Sequence, residues 1–411
     1  MATIKPFRGL RFTEKAGALN ELICPPYDII NEQQRLGYIA KNEHNIIRLE
    51  LPKEGENPYL TAAETLQNWL DSEALALDDS PAIYILEVKF DHLGQNLSFK
   101  SIISKVKVEE FERKIILPHE QTLSKDKGDR WDLLSACKTN FSQIQSLYMD
   151  DNCTTSQKIE QLTAHKADVS AEFEGATHNL WIISNQSDID ALCEDFIERK
   201  LYIADGHHRY ETALAYSKAN PEHNHVMMAL IDINSPGLVV LPTYRVVKNL
   251  ENFSLKTLLE KISKDFTVEK MGCQKSAALK LEKLGIVGEK TFTLYVNDEF
   301  YNLTLKPTSR SKLGNDPLSK LDVTALHSLV LEGALSISKE NLANQTNLIY
   351  TRCENEAVEM AKYDANCSII MNAPTVEQIK EVCENQLKMP QKSTYFFPKL
   401  VTGLVMATLD N

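Results

Sequence analysis

Residues 201 to 216 read Leu201-Tyr-Ile-Ala-Asp-Gly-His-His-Arg-Tyr-Glu-Thr-Ala-Leu-Ala-Tyr216, and the fold prediction is built outward from this stretch. Its first four residues are apolar, as in a buried strand. The run breaks at Asp205-Gly206, and apolar residues at helical spacing follow from Tyr210 onward. The helix is predicted to end before Asn220-Pro221, because the residue before a proline avoids the α conformation. The pattern therefore predicts a strand, a tight turn and a helix, with polar residues on the turn.

This polar turn has the chemistry of an anion site. Free backbone N–H groups and the positive end of the helix dipole meet at the start of a helix. Gly206 lets an oxyanion approach the backbone closely, and Arg209 can donate two hydrogen bonds to one phosphate. Two adjacent imidazoles can donate hydrogen bonds or transfer a proton near neutral pH, and Asp205 can bind Mg²⁺ or orient a histidine. We predict that the turn binds or transfers a phosphoryl group. The predicted phosphate ligands are Gly206, His207, His208 and Arg209.

Two other interpretations of the turn stay open. Four histidines lie within 19 residues, which is a composition that a zinc site could use: His207, His208, His223 and His225. Adjacent histidines at a helix start point in different directions, which weighs against zinc. The turn could also be a helix N-terminus with polar caps and no ligand, although two histidines and an arginine are more than a cap needs.

The composition is that of a globular protein, and a length of 411 residues leaves room for two or three domains. A net charge of −12 weighs against a protein that coats nucleic acid. No apolar run approaches the roughly 18 to 20 residues that span a bilayer, and the first residues lack a signal-peptide core. The eight cysteines form no CxxC pair, which favours reduced thiols. We expect a cytoplasmic protein with no nucleic-acid or membrane partner, and the oligomeric state stays open.

Polar residues that follow an apolar run supply the predicted acid–base pair. Ile115-Ile-Leu ends at Pro118, and His119 and Glu120 come next. Because a His-Glu pair supplies a base and a cation ligand, we predict that Glu120, assisted by His119, accepts the proton of a substrate hydroxyl. His208 and Asp205 complete the predicted catalytic set.

Other segments supply predicted ligands for the rest of the substrate. Paired prolines in Cys24-Pro-Pro-Tyr-Asp28 cannot continue a helix or a central strand, so this segment is a rigid turn. A purely structural turn with an Asp cap is an equally open interpretation. The predicted substrate-binding residues are Arg11, Tyr27, Asp28 and Arg245. Arg130 is predicted to bind a carboxylate or a second phosphate, and Asp28 is predicted to share Mg²⁺ with Asp205.

The pattern along the chain predicts an α+β fold. The predicted elements include a helix over 58–70, a hairpin of strands 83–90 and 97–108, a charged loop over 124–129, a buried central strand over 225–233 and a helix over 321–331. The tail between Pro390 and Pro398 carries Lys392, Ser393 and Thr394, but it lacks the glycines of a Walker A loop, so that motif is not assigned.

The motif Gly206-His-His-Arg-Tyr-Glu211 resembles the Gly-x-His-Arg-Tyr motif of sulfiredoxin and the Gly-Glu-Arg-Arg-x-x-Ala motif of the ParB chromosome-partition family. Asp205-Gly-His-His-Arg209 is closer still to the archaeal free serine kinases, which phosphorylate serine to O-phosphoserine. This resemblance implies a ParB/sulfiredoxin-like core whose strand, turn and helix bind nucleotide phosphates. His207 occupies the position of the sulfiredoxin cysteine, so sulfinic acid reduction is not expected. No helix-turn-helix follows the motif, so partition-type DNA binding is not expected either.

The whole chain also resembles the bacterial DUF1015 family, whose function is not defined. The segments that carry this resemblance are Cys24-Pro-Pro-Tyr-Asp28, Pro118-His-Glu120, Asp129-Arg130, Ala204-Asp-Gly-His-His-Arg209, Leu241-Pro-Thr-Tyr-Arg245 and Met389-Pro-Gln-Lys-Ser-Thr-Tyr395.

We therefore expect three regions: an N-terminal α+β region over 1–150, a ParB/sulfiredoxin-like core with the motif over 151–248, and a C-terminal α/β region over 249–411. The first two regions are expected to share one site. The predicted function is a phosphotransferase on a small hydroxyl metabolite, with free serine and O-phosphoserine preferred. ATP, ADP or pyrophosphate is the predicted donor, with Mg²⁺, and either direction fits. The alternatives are a nucleotide-binding switch or scaffold without turnover, and a phosphodiesterase or nuclease.

Overall fold

The computed structural model describes residues 1–120 and 124–410, with residues 124–127 and 343 described by their backbone alone. The chain divides into two compact units. The first unit comprises the described residues of 1–118, 122–239 and 398–411, and the second comprises those of 119–121 and 240–397. The last residues of the chain therefore return to the unit that contains its beginning.

The first unit is built on a large mixed sheet. Its strands are β1 (Ile4–Lys5), β2 (Leu10–Phe12), β3 (Leu75–Leu77), β4 (Ile83–His92), β5 (Gln95–Lys107), β6 (Ile116–Leu117), β7 (Thr139–Asn140), β8 (Ile144–Tyr148), β9 (Val169–Phe173), β10 (Ala176–Ile183), β11 (Leu201–Asp205) and β12 (His225–Asp232). Its helices are α1 (Leu19–Leu22), α2 (Glu32–Lys41), α3 (Ile47–Glu50), α4 (Pro58–Asp71), α5 (Ser124–Cys137), α6 (Thr154–Leu162), α7 (Gln186–Phe196) and α8 (His207–Ala219).

Nine of these strands, counted over the described residues, form one sheet in the order β6-β11-β8-β12-β5-β4-β10-β9, with β1 against β5. The pairs β6–β11 and β8–β12 are parallel, and the other pairs are antiparallel. The continuous apolar run of β12 lies at the centre of the sheet, since only a strand buried on both faces can be apolar throughout. Side chains of α6, α7 and α8 join the strands in one hydrophobic core.

The second unit contains an antiparallel sheet. The remaining strands of the chain are β13 (Val239–Leu241), β14 (Tyr244–Val247), β15 (Phe266–Met271), β16 (Thr291–Val296), β17 (Glu299–Leu305), β18 (Leu348–Thr351), β19 (Cys367–Met371), β20 (Tyr395–Phe397) and, back in the first unit, β21 (Ala407–Thr408). Six of them, in the part of the chain that the structure describes, follow the order β15-β17-β16-β19-β14-β18. The helices are α9 (Leu255–Ile262), α10 (Gln274–Ile286), α11 (Asp322–Ala325), a π-helix over Leu326–Ala334, α12 (Lys339–Ala343), α13 (Glu354–Tyr363) and α14 (Val376–Glu384).

The predicted strand, turn and helix at the motif are confirmed, since β11 ends at Asp205 and α8 runs from His207 to Ala219. The mixed α+β class is confirmed as well, whereas membership of the ParB/sulfiredoxin superfamily stays a prediction. One local prediction was wrong: the charged segment 124–129, predicted as a loop, is helical, because α5 begins at Ser124. The helix predicted over 321–331 is confirmed, and α11 passes directly into the π-helix within it.

The division into units differs from the three predicted regions. The boundary predicted at residue 150 falls inside the large sheet, because β5 pairs along its length with β12. The boundary predicted at 248 lies close to the change of unit at residue 240. Among the described residues, no helix combines the length and apolar character that a bilayer crossing requires.

Candidate functional site

The strand that leads to the motif is irregular at its end. Ile203 pairs with Ser146 and Asp205 pairs with Gln145, so Ala204 is an additional residue on β11. Such a β-bulge bends the strand and changes the direction of the side chain after it. The bulge therefore sets where the carboxylate of Asp205 points at the start of the turn.

Gly206 is required at the turn for two reasons. It caps α8 with φ +92° and ψ 30°, a left-handed conformation that strains any residue with a Cβ. A Cβ added to Gly206 would also lie 2.9 Å from Nη2 of Arg209. The guanidinium group of Arg209 therefore folds back over the turn, and a Cβ at residue 206 would displace it.

Asp205 holds two cations of the first unit. One carboxylate oxygen accepts a hydrogen bond from Nη2 of Arg209 at 3.0 Å, and the other accepts from Nζ of Lys399. Nη1 of Arg209 donates to the carbonyl of Gln143 at 2.7 Å, whereas its Nε is buried without a hydrogen-bond partner among the described residues. One carboxylate and two cations leave one formal positive charge at the turn.

The ionisation of Asp205 reflects this arrangement. Burial alone would raise the pKa of Asp205, but the attraction of Lys399 and Arg209 outweighs burial, and the pKa falls to about 2. The positive charge that His207 can carry lowers this pKa further. His207 is 8% exposed and His208 is partly exposed in the first turn of α8. The structure therefore brings the five predicted turn residues together around an ionised Asp205.

A second charged cluster of the same unit surrounds Arg130, which is buried. Its guanidinium carbon lies 3.9 Å from the ring centre of Tyr27, in a cation–π contact. Nη1 donates to the carbonyl of Glu50 at 3.0 Å, and Nε and Nη2 donate to Asp129 at 2.8 and 2.5 Å. The predicted site residues Tyr27 and Arg130 are thus in contact with each other.

Glu50 lies in the interior next to Arg130. Its side chain is 2% exposed, and Oε1 accepts a hydrogen bond from Ser142 at 2.8 Å and lies 3.6 Å from Nη1 of Arg130. Burial raises the pKa of Glu50, and the charges of Arg130 and Arg209 oppose that rise. A small cavity of about 50 Å³ is lined by side chains of this cluster and of the turn, among them Glu50, Arg130, Ser142 and Arg209.

Sequence reasoning missed two residues of this site, Glu50 and Lys399. Glu50 ends α3 after an apolar segment, and no local motif distinguishes it from a surface carboxylate. Lys399 stands just after Pro398 in the tail, 194 residues from its partner Asp205. Only the return of the tail to the first unit reveals this contact.

Two other predicted ligands of the first unit have different surroundings. Asp28 is exposed on a short 3-10 turn over Tyr27–Ile29, and its charge raises the pKa of Glu50, so it lies near the Arg130 cluster. Two nitrogens of Arg11 donate to Oδ1 of Asp78: Nε at 2.9 Å and Nη2 at 2.5 Å. Because its guanidinium is already paired, a substrate-binding role for Arg11 stays a prediction.

His119 and Glu120 belong to the second unit. His119 is fully buried, and its Nε2 lies 2.9 Å from Oγ1 of Thr394. The carbonyl of His119 accepts from the N–H of Met389 at 2.7 Å, and Oε1 of Glu120 accepts from the N–H of Lys392 at 3.1 Å. His119 and Glu120 of one motif and the Met389–Tyr395 motif are therefore neighbours in this unit. The role of Glu120 as a general base stays a prediction.

Arg245 fixes the same tail segment. It is fully buried, and its Nη2 donates to the carbonyl of Lys392 at 3.1 Å, while Nη1 donates to the carbonyl of Thr243. Burial lowers the pKa of Arg245 to about 10, against the opposing effect of Tyr350 and Glu120. Because its guanidinium is enclosed, Arg245 is placed to position the tail, and its predicted contact with substrate stays a prediction.

The predicted Mg²⁺ ligands do not form a ready-made metal site. Both oxygens of Asp205 already accept from cations, and Asp28 stands on an exposed turn. In the described part of the chain, no group of three or more His, Cys, Asp or Glu side chains is arranged to hold a metal ion. Asp205 therefore does not fit the predicted Mg²⁺ role in this arrangement.

The model of a family described as "Protein of unknown function (DUF1015)" matches residues 4–324. No curated protein matches the chain. A conserved hypothetical protein from Pyrococcus furiosus is 14% identical, with a TM-score of 0.39 over 75% of this chain and 96% of its own. A free serine kinase in complex with AMP is 15% identical, with a TM-score of 0.38 over 74% and 92%. A truncated SbnI from Staphylococcus aureus is 10% identical, with a TM-score of 0.36 over 74% and 86%.

Proposed function

Because the chain belongs to the DUF1015 family, described as of unknown function, we propose its activity from the geometry of its own residues. We propose that it is a cytoplasmic phosphotransferase acting on the hydroxyl of a small metabolite. Free serine, with O-phosphoserine as its phosphorylated form, is the preferred pair, and the reaction can run in either direction. ATP, ADP or pyrophosphate is the proposed donor.

The observation that carries this proposal is the arrangement of charge at the Gly206 turn. A helix begins at a glycine with positive φ, and two cations, Arg209 and Lys399, converge on the same carboxylate beside it. A helix N-terminus attracts anions through its N–H groups and its dipole. The formal excess of one positive charge adds to that attraction. A phosphate is an anion that this combination suits.

The proposed roles follow from chemistry that each residue can perform. Backbone N–H groups at Gly206 and the side chains of His207 and His208 donate hydrogen bonds to phosphate oxygens. Arg209 has a buried donor, Nε, with no hydrogen-bond partner among the described residues, and an oxygen bound at the turn would satisfy it. Donors that are already in place stabilise the charge of a phosphoryl group in transfer without reorganisation. Asp205 positions Arg209 and Lys399.

The proposed general base and the proposed Mg²⁺ ion require separate tests. Glu120, assisted by His119, is the proposed general base, and Glu120→Gln, which removes the basic carboxylate, tests that role on its own. Mg²⁺ commonly binds through donor phosphates together with one or two carboxylates. No step of the proposal depends on it. Arg130 is the proposed ligand of a carboxylate or a second phosphate, because its guanidinium lines the cavity of the first unit.

The activity is tested with the purified full chain, serine, Mg²⁺ and each donor in turn, and with O-phosphoserine and each acceptor, by ³¹P NMR. We expect one donor to yield O-phosphoserine. Arg209→Ala is expected to lower kcat about 10²-fold, as loss of one transition-state donor does. Arg113→Ala is the matched control, because Arg113 is an exposed arginine of the same unit.

Three outcomes would contradict the proposal. Tight nucleotide binding without turnover of any acceptor would favour the switch or scaffold function. Hydrolysis of phosphodiesters would favour the nuclease alternative. Full activity of Arg209→Ala, with serine turnover intact, would show that the Gly206 turn is not the phosphate site.

A further inference from the structure

The second unit contains a cavity of about 310 Å³ that shares no residue with the Gly206 turn. This volume lies at the lower end of the roughly 300–1,000 Å³ range of small-molecule sites. One wall is the segment from α11 through the π-helix, and residues 388–391 of the tail form another. π-helical turns occur frequently at functional sites, because the wider turn displaces side chains from the regular helical register.

Two buried polar atoms of this wall have no hydrogen-bond partner among the described residues. His327 is 8% exposed, and its Nε2 makes no hydrogen bond to any described residue. Thr324 lies three residues earlier on the same wall, and its buried Oγ1 likewise makes no hydrogen bond to any described residue. A buried polar group without a partner costs about 1–3 kcal/mol, so such groups are uncommon in folded proteins unless a ligand or water binds them.

The charges around the cavity favour an anion. Lys339 and Lys388 line it, and Glu332 supplies the one carboxylate among the described lining residues. The fully buried Arg245 lies close enough to His327 to act on its ionisation: burial, with the charge of Arg245 in support, lowers the pKa of His327 to about 3. His327 is therefore neutral near pH 7, and it can offer an N–H to an acceptor while the lysines supply the charge.

We propose that this cavity binds a small organic anion. Its acidic head group contacts Lys388 and Lys339 and accepts hydrogen bonds from His327 and Thr324, while its carbon skeleton packs against Leu342 and Met389 on the apolar part of the lining. Carboxylate and phosphate head groups share the chemistry that these donors recognise. The proposal does not rest on the phosphotransferase activity, since it concerns residues of the second unit alone.

The test uses the full chain with Arg209→Ala, so that the Gly206 turn does not contribute to anion binding. Succinate, glycerol 3-phosphate and inorganic phosphate are titrated in turn at pH 7, and the ¹³C-labelled histidine ring signals are followed by NMR. The signal of His327 is assigned by its loss in His327→Gln. We expect a saturable shift of that signal with succinate or glycerol 3-phosphate, and the stronger of the two identifies the head group.

Variants of the lysines decide whether the site is the one proposed. Lys388→Gln is expected to weaken binding about tenfold, which corresponds to the loss of one charged hydrogen bond. Lys339→Gln provides a second test at an exposed position, and Lys362→Gln, on α13 outside the lining, is the control. The proposal is overturned if none of the three anions shifts the His327 signal, or if both lysine variants bind as tightly as the parent chain.

Discussion

Asp205→Asn tests whether the carboxylate at the Gly206 turn stabilises the first unit through its two cations. The pKa of Asp205 in the folded chain is about 2, whereas an aspartate in an unfolded chain titrates near pH 3.9. Because the folded pKa is the lower one, ionised Asp205 stabilises the fold at pH values above about 3.9. This contribution is lost as the pH falls through about 2.

The size of the effect follows from the same two pKa values. A difference of nearly two pKa units corresponds to roughly 2–3 kcal/mol of unfolding free energy at pH 7 and to about half of that at pH 3. Asparagine keeps the shape of the side chain but cannot ionise. Asp205→Asn is therefore expected to lower the unfolding free energy by roughly 2–3 kcal/mol at pH 7 and by about half as much at pH 3.

Urea denaturation followed by tryptophan fluorescence measures this effect, because Trp69, Trp131 and Trp181 all belong to the first unit. Asp79→Asn is the control, since Asp79 is an exposed carboxylate of that unit. Equal stability of Asp205→Asn and the parent chain at pH 7 would refute the reasoning. A loss of the same size at both pH values would show that the carboxylate acts through shape and not through charge.

Three further variants test other parts of the first unit. Gly206→Ala is expected to cost about 1–3 kcal/mol of stability through strain at positive φ and to displace Arg209, which a loss of phosphate affinity in calorimetry would reveal. Lys399→Met is expected to raise the pKa of Asp205, visible as a shift of its carboxyl ¹³C titration to higher pH. Burial raises the pKa of Glu50, so the parent chain is expected to lose stability relative to Glu50→Gln as the pH rises above about 4.3. Urea denaturation at a series of pH values measures this difference. Unchanged phosphate affinity would contradict the prediction for Gly206→Ala, and an unchanged titration of Asp205 would contradict the prediction for Lys399→Met. A stability difference that does not depend on pH would contradict the prediction for Glu50→Gln.

The local part of the fold was predictable because its signals are local. The apolar run before Asp205-Gly206 and the helical spacing after it specify β11 and α8 without reference to any other segment. The amphipathic helix predicted over 58–70 appears as α4, and the predicted hairpin appears as β4 and β5. In each case the periodicity of the side chains and the turn residues act within one helix or between strands adjacent in sequence.

The remaining features of the fold were not predictable, because they depend on contacts between segments that are distant in the sequence. The bulge at Ala204, which aims Asp205, depends on pairing between β11 and β8, and no residue pattern of β11 indicates it. Lys399 reaches Asp205 only because the tail joins the first unit after a second unit has been completed. The boundary predicted at residue 150 precedes part of the large sheet, because that sheet is completed by β12, which begins at His225.

The candidate site shows the same contrast. The motif Asp205–Arg209 was identified from its residue types alone, because few structural turns need two histidines and an arginine after Asp-Gly. Glu50 was not identified, since one glutamate among 57 acidic residues is noticeable only when its burial beside Arg130 is known. His119 and Glu120 were selected as an acid–base pair, a role that stays a prediction, and the sequence did not indicate their contacts with Thr394 and Lys392 of the second unit.

A crystal structure of the full chain with pyrophosphate or ADP tests the central claim most directly. The account predicts phosphate density at the start of α8, with oxygens within hydrogen-bond distance of a backbone N–H of residues 206–208 and of the guanidinium of Arg209. Phosphate bound elsewhere, with the pairing of Arg209 and Lys399 to Asp205 undisturbed and no ligand at Gly206, would contradict it.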